Sequence, residues 1–542
     1  MAKEKEAPKK VSRMEFVKGA TVGAAAAAGA GVLASCASPQ GEVGTQGPAG
    51  PAGPAGPAGP AGPSGIPEIE WDYETDVVVV GSGNGGLSAG IAAAQNGANV
   101  IVVEISSKTG GGSSYSGGWI HSSGMKTYEE YQERTQGLHD PVLGKVFFET
   151  FQQYKGWLQD IGAYVTAVEG GTYDGDLAMG KGEPSPMHDR LYFDSLEDIF
   201  TEAGGTILLR TRALRLLTDE EGAIVGLRAE GPEGTLNIRG KGVILACGGF
   251  QSNPEFRQRY FGAEADLATV MGTPYNRGDG IRMAEEVGAA LSGGMTTYSG
   301  SWAAAHPCEY PLEDREVYEE AGYEPGRDSI DWLNAISTVS MPAGAILVNL
   351  NGKRYVDEDA AYPRNIQPTP RQPQAKGIMI FDKPMYDSIG PYHELEMEER
   401  VEAMLEYGAV VVTADTVEEL ADELAALPTP VHKANLLDSM NEYNKAVEAG
   451  TTAELEVART GTAVKIETPP FYAIPVTVKI YACFGGLAMN ENAQVLDTQE
   501  KPIPRLYALP PTSGGVMRSI YTGMIACAGT FGWIAGKHAA AL

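Results

Sequence analysis

Four consecutive valines at 77–80 begin the most regular stretch of this chain; Gly81-Ser82-Gly83-Asn84-Gly85-Gly86 follows, then small residues as far as Asn96. An apolar run without alternation predicts a strand buried on both faces, as in a parallel sheet. Residues 86–96 predict a helix of small side chains that packs closely on that strand. A second apolar run, 99–104, predicts the next strand and ends in Glu104, eighteen residues after Gly86. Strand, glycine turn, helix, strand and acid in this order make a dinucleotide-binding unit. Gly81 permits the tight turn, Gly83 lets the backbone approach a pyrophosphate, and Gly86 lets helix and strand touch. Gly85 belongs to the same cofactor-binding loop, and the helix N-terminus faces the phosphate charge. Glu104 can accept a hydrogen bond from an adenosine ribose hydroxyl.

Upstream the pattern is different. Residues 1–18 hold Lys3, Lys5, Lys9, Lys10, Arg13 and Lys18, and an Ala/Gly-rich apolar stretch follows that ends Leu33-Ala34-Ser35-Cys36. That stretch is short and small-sided for a membrane span, so residues 1–36 read as an export signal. Its end resembles a bacterial lipobox, with Cys36 as the lipidated residue. Residues 12–18 resemble the twin-arginine export motif, with Met14 where its second Arg belongs. Residues 44–67 run as Gly-x-y triplets, mostly Gly-Pro-Ala, which cannot form a packed core and favour extended polyproline geometry. Residues 37–70 are therefore expected to be a spacer that holds an extracytoplasmic body off a membrane, anchored through lipid.

Charge and cysteines narrow the partners of the body. The chain has 41 basic and 70 acidic residues, a net charge of -29, which argues against nucleic acid or anionic lipid as a partner of the body. Cys247, Cys308, Cys483 and Cys527 lie far apart, with neither metal-type nor haem-attachment spacing, so no metal is expected. Any electron donor must be a separate molecule, a cytochrome or a quinone-linked donor.

A second glycine-rich loop, residues 110–118, would lie against a cofactor larger than the first loop covers, which favours FAD over NAD; its expected contacts are Gly111, Gly112, Ser113, Ser116, Gly117 and Gly118. Here the chain resembles the flavoprotein superfamily of fumarate reductases and 3-ketosteroid dehydrogenases. Residues 211–226 resemble its strand pair near the adenine, with Ala213. Residues 243–250, with Gly248, and 276–280, with Asp279, match the next two landmarks. Residues 344–349 and 352–358 match the substrate-domain signature, and 485–486, 503–508 and 513–516, with Gly515, match the return to the flavin domain; Ile525 follows. The resemblance implies an α/β fold, a Rossmann-like FAD-binding domain (71–274 and 466–542) interrupted by an inserted α+β capping domain (275–465). The site would lie at their interface and act on a small-molecule substrate. Cap residues 414–427 have helical apolar spacing. One departure is Leu509-Pro510-Pro511, where the family has an acid or amide that contacts FAD.

The resemblance also frames the chemistry. Fumarate reductases carry a proton-delivering Arg four residues after the signature Glu, here Glu358; this chain has Tyr362. Tyr521 stands where a carboxylate-binding Arg is expected, and Tyr481 and Ala482 where a His pair is expected. A dicarboxylate would find few cations. Tyr362 and Tyr521 resemble the ketosteroid dehydrogenase pattern, in which phenols polarise a ketone and exchange a proton beside it. The expected reaction is hydride exchange between FAD and a carbon β to a carbonyl, as in an enone or ketosteroid, favoured in the reductive direction. An alternative uses Arg364 in a fumarate or urocanate type reductase, with His306-Pro307 as a weaker substrate contact. A second alternative is a non-catalytic flavin-binding lipoprotein.

Overall fold

The computed structural model describes residues 69–180, 186–304, 341–390, 396–406 and 408–542. The expected export signal, all but the last two residues of the spacer, His306-Pro307 and Cys308 lie outside them. Strand β1 (Tyr73–Val80) runs parallel to β2 (Val100–Val103), with Val77 opposite Val100. The four valines of β1 and all of β2 are buried. Helix α1 (Asn84–Gln95) joins them and is buried along residues 84–93. Gly81 turns the chain at φ +105°, and a Cβ on Gly86 would stand 1.9 Å from the Gly81 carbonyl oxygen. Only glycine allows that approach of helix to turn.

The chain then makes a small antiparallel sheet of β3 (Trp119–Ile120), β4 (Val165–Ala167) and β5 (Leu177–Met179), with β5 in the centre. Helix α2 (Pro141–Asp160) lies between β3 and β4 in sequence, and α3 (Pro186–Glu202) follows β5 and packs on α1. Strand β6 (Thr206–Leu208) extends the first sheet beyond β2. Strands β7 (Arg212–Thr218), β8 (Ile224–Gly231) and β9 (Gly234–Leu245) form the antiparallel pairing expected near 211–226. β9 comes back parallel to β1 on its other side.

A six-stranded second sheet comprises β10 (Thr269–Val270), β11 (Tyr298–Ala304), β12 (Ile346–Val348), β13 (Gly377–Asp382), β14 (Val412–Ala414) and β15 (Phe471–Cys483). Its hub is β15, which pairs with β10, β11, β13 and β14. The expected cap limits of 275 and 465 do not coincide with this sheet. It already holds residues 269–270, and its longest strand begins at Phe471, while α4 (Asp279–Glu285) packs against β7 of the first sheet. Family landmarks mark loops, and which sheet a strand joins is decided by pairing that short motifs do not encode. The helix expected within 414–427 is Val417–Ala426, capped by Thr416 and Glu419. The chain returns to the first sheet through β16 (Gln494–Leu496) and β17 (Pro502–Ala508), giving the order β16-β17-β9-β1-β2-β6. The last helix, α5 (Met524–Ala539), lies along α1; a Cβ on Gly532 would be 2.2 Å from the Gly85 carbonyl oxygen.

Candidate active site

The glycine turn after β1 opens into a cavity of about 780 Å³, within the range of roughly 300–1,000 Å³ of ligand pockets. Glu104, 4% exposed, lies at the end of β2. Its Oε2 accepts from the Ser82 backbone N–H at 2.8 Å and the Ser82 hydroxyl at 2.6 Å, and its Oε1 from Ser106 N–H at 2.9 Å. An ionised carboxylate has about four lone-pair positions, so capacity for a ribose hydroxyl remains. Asn84 pins the start of α1. Its Nδ2 donates to the Ile525 carbonyl at 2.9 Å and to Tyr154 Oη at 3.2 Å, and its Oδ1 accepts from Tyr192 at 2.6 Å. No acid occupies the first turn of α1, which leaves its positive end to an anion. The second glycine loop lies against the first: Gly110 N–H donates to the Ser82 carbonyl at 3.1 Å and Asn84 N–H to Ser113 Oγ at 3.3 Å. Asn276 packs into both Gly112 and Gly248, where a Cβ would be 2.9 Å and 2.1 Å from its amide atoms.

Tyrosines make another part of the wall. Tyr362 and Tyr521 meet edge to face with ring centroids 6.5 Å apart. Tyr362, 37% exposed, donates to the Gly300 carbonyl at 2.9 Å and shares a 2.9 Å hydrogen bond with Ser299 Oγ. Tyr521 packs against His121 and Phe484. Its ring lines the cavity and is partly buried, and desolvation pushes the phenol up to about 12. Burial likewise pulls the His121 imidazole down to about 4, so that ring is neutral at physiological pH. The His121 Nδ1 accepts from Ser123 N–H at 3.0 Å, and its ring packs tilted against Tyr173 with centroids 4.3 Å apart. Among the described residues that line the cavity, the only cation is Arg212, whose guanidinium grips Asp279 at 2.8 and 3.0 Å.

A family model described as an FAD binding domain matches residues 76–531. The chain belongs to this FAD-binding family. It is 29% identical over 493 residues to a probable fumarate reductase of Shewanella frigidimarina, covering 86% of this chain and 75% of the relative. It is 27% identical to the digoxin reductase of Eggerthella lenta over 98% of this chain and 97% of that one. A solved 3-ketosteroid Δ1-dehydrogenase from Sterolibacterium denitrificans shares the fold, with a TM-score of 0.64 at 20% identity over 86% of this chain and 100% of the other. The protein is an FAD-dependent oxidoreductase that acts on CH–CH groups.

The residues present fit FAD. Of those expected to contact it, Gly81, Gly83, Gly85, Glu104, Gly111, Gly112, Ser113, Ser116, Gly117, Ala213, Gly248, Asp279 and Ile525 line the cavity, joined by Tyr362 and Tyr521. Gly86, Gly118, Gly515 and Arg364 do not. Gly86 lies beneath the turn, where its role is the close packing described above. The Gly118 carbonyl accepts from Met179 N–H at 2.7 Å and that of Gly515 from Asp140 N–H at 2.8 Å, so both hold loops in place. Arg364 points elsewhere: its guanidinium donates to Gln136 Oε1 at 2.6 Å and Ser519 Oγ at 3.3 Å. The Leu509-Pro510-Pro511 segment lines the cavity with apolar side chains alone.

Some functional positions left little trace in the sequence. Ser82 stands between two glycines of the turn, yet its N–H and hydroxyl both hold Glu104. Tyr154 and Tyr192 converge on Asn84 from α2 and α3, 70 and 108 residues away. The signature Glu358 is a buried anchor, 1% exposed, holding Arg354 at 2.6 Å and Arg459 at 3.4 Å and accepting from Leu347 N–H at 3.0 Å. It fixes the start of the segment that carries Tyr362. Gln367 fixes the other end by donating to the Tyr298 carbonyl at 2.8 Å.

Proposed function

We propose that this protein reduces the carbon–carbon double bond of an enone, a ketosteroid-like or other carbonyl-activated alkene. The observation that carries this reading is the convergence of Tyr362 and Tyr521 in a cavity whose only described lining cation is engaged with Asp279. A neutral carbonyl compound suits that wall, whereas a dicarboxylate would be desolvated without a counter-charge. Bound FAD supplies the hydride chemistry at the β carbon. Tyr521, a phenol that desolvation pushes up to about 12, donates a hydrogen bond to the carbonyl oxygen as negative charge builds there. Tyr362 gives its proton to the α carbon, whose new C–H bond takes the electron pair of the enolate. Glu104, the glycine loops and the start of α1 hold the nucleotide. The similarity to a digoxin reductase over nearly the whole chain accords with a bulky substrate. Arg364, tied to Gln136 and Ser519, gives the unsaturated-acid alternative no support, and the family assignment replaces the non-catalytic alternative.

We also propose that the body is exported, anchored through Cys36 outside the cytoplasm, and supplied with electrons by a separate cytochrome or quinone-linked donor. The basic start, the apolar stretch, the lipobox-like end and the Gly-Pro-Ala spacer support this.

An anaerobic screen tests the reaction. Chemically reduced, FAD-loaded enzyme is mixed with enones and with unsaturated acids while flavin absorbance is followed. Enones should reoxidise the flavin, and Tyr521→Phe should slow this by about 10²-fold or more with FAD retained. Rapid reoxidation by dicarboxylates alone would replace this reading with the Arg364 alternative.

A further inference from the structure

Building on the assignment of Tyr362 as the proton donor, we propose that Ser299 is a positioning residue that sets the proton affinity of that phenol. Strand β11 breaks its register against β15 between Ser299 and Gly300. The irregularity turns two oxygen atoms toward one side chain: Ser299 Oγ and the Gly300 carbonyl oxygen both lie 2.9 Å from Tyr362 Oη. Gly300 packs against β15, paired with Ile480, and only glycine fits there, because a Cβ would stand 2.5 Å from the Lys479 carbonyl oxygen. Its carbonyl therefore has a fixed place beside the phenol.

Donor and acceptor bookkeeping then gives each contact a direction. A carbonyl oxygen only accepts and a phenol has one proton, so Tyr362 donates to Gly300 and the Ser299 hydroxyl donates to Tyr362. Ser299 is 1% exposed and lines the cavity. A hydroxyl that donates to a phenol oxygen stabilises the phenolate more than the phenol. When Tyr362 turns from Gly300 and gives its proton to the substrate's α carbon, the O–H bond breaks and its electron pair stays on Tyr362. The Ser299 hydrogen bond stabilises the resulting phenolate until solvent returns the proton.

Other titratable groups lie around Tyr362. Tyr521 meets it edge to face, and Tyr481 on β15 donates to Ser301. Lys479, paired with Ser301 in the sheet register, is pulled down to about 7 by burial. Arg364 is tied to Gln136 and Ser519.

The test compares Ser299→Ala, Ser299→Thr and Tyr362→Phe in the FAD-loaded enzyme. Tyrosinate formation is followed by ultraviolet difference absorbance, and the Tyr362 contribution is taken as the change lost in Tyr362→Phe. Ser299→Ala should raise the Tyr362 pKa by about one unit and lower kcat roughly tenfold with KM little changed. The alkaline limb of the rate profile should move up with it, and Ser299→Thr, which keeps the hydroxyl, should restore both. An unshifted Tyr362 titration in Ser299→Ala, or no rescue by threonine, would overturn the role of Ser299. Full turnover by Tyr362→Phe would instead overturn the proton-donor assignment, while the titration would still report on Ser299.

Discussion

Two neutral side chains beside the cavity, Tyr521 and His121, have their charged forms disfavoured by desolvation. Desolvation raises the Tyr521 phenol from about 10 to about 12, so it stays protonated well into the alkaline range, and it lowers His121 to about 4, so that ring stays uncharged into the acid range. The sign of the His121 effect on stability follows directly. Its folded pKa of about 4 lies below the unfolded value of about 6.5, so the stabilisation is complete above 6.5 and is lost as pH falls toward 4. Between pH 7 and pH 5 this amounts to about 2 kcal/mol. Urea unfolding of wild type should weaken by that much more than unfolding of His121→Gln, which keeps an acceptor for Ser123 N–H. Equal losses in the two proteins would show that His121 is not the group responsible. At this scale the sequence pointed to Tyr362 and Tyr521 through their places in the landmarks. It could not show that Glu358 is an internal anchor or that Arg364 leaves the cavity, because both depend on partners distant in the chain: Arg459 for one, Gln136 and Ser519 for the other.

Among elements, the unit β1-α1-β2 could be read from its valines and glycines because each feature is local and imposed by contact distances. Gly86 states that constraint most sharply. In Gly86→Ala the new methyl meets backbone at 1.9 Å, and backbone cannot swing aside as a long side chain can. A loss of about 3 kcal/mol in stability is expected, with FAD retention falling alongside. Thermal unfolding and flavin content of the purified variant measure both, and wild-type values for the two would refute the packing role. The limits of the inserted region were less accessible. β15 looks like any apolar strand in sequence, yet it is the hub of the second sheet, because its neighbours β10, β11, β13 and β14 come from 269–304 and 377–414. The register break in β11 that aims Ser299 and Gly300 at Tyr362 is equally invisible along one strand, since it exists only relative to β15.

Over the whole molecule, the nucleotide sheet and the second sheet each contribute what the other lacks. The first supplies glycine loops, Glu104 and Tyr521; the second supplies Ser299, Gly300 and, through the segment anchored by Glu358, Tyr362. A phenol from each reaches one cavity, and the proposed carbonyl polarisation and α-carbon protonation rest on that arrangement. The most direct test is anaerobic stopped-flow reoxidation of the bound, reduced flavin by an enone, comparing wild type with Tyr362→Phe. The account predicts rapid reoxidation by wild type and a rate lower by about 10²-fold or more in the variant, with FAD content unchanged. Equal rates in the two proteins would contradict it.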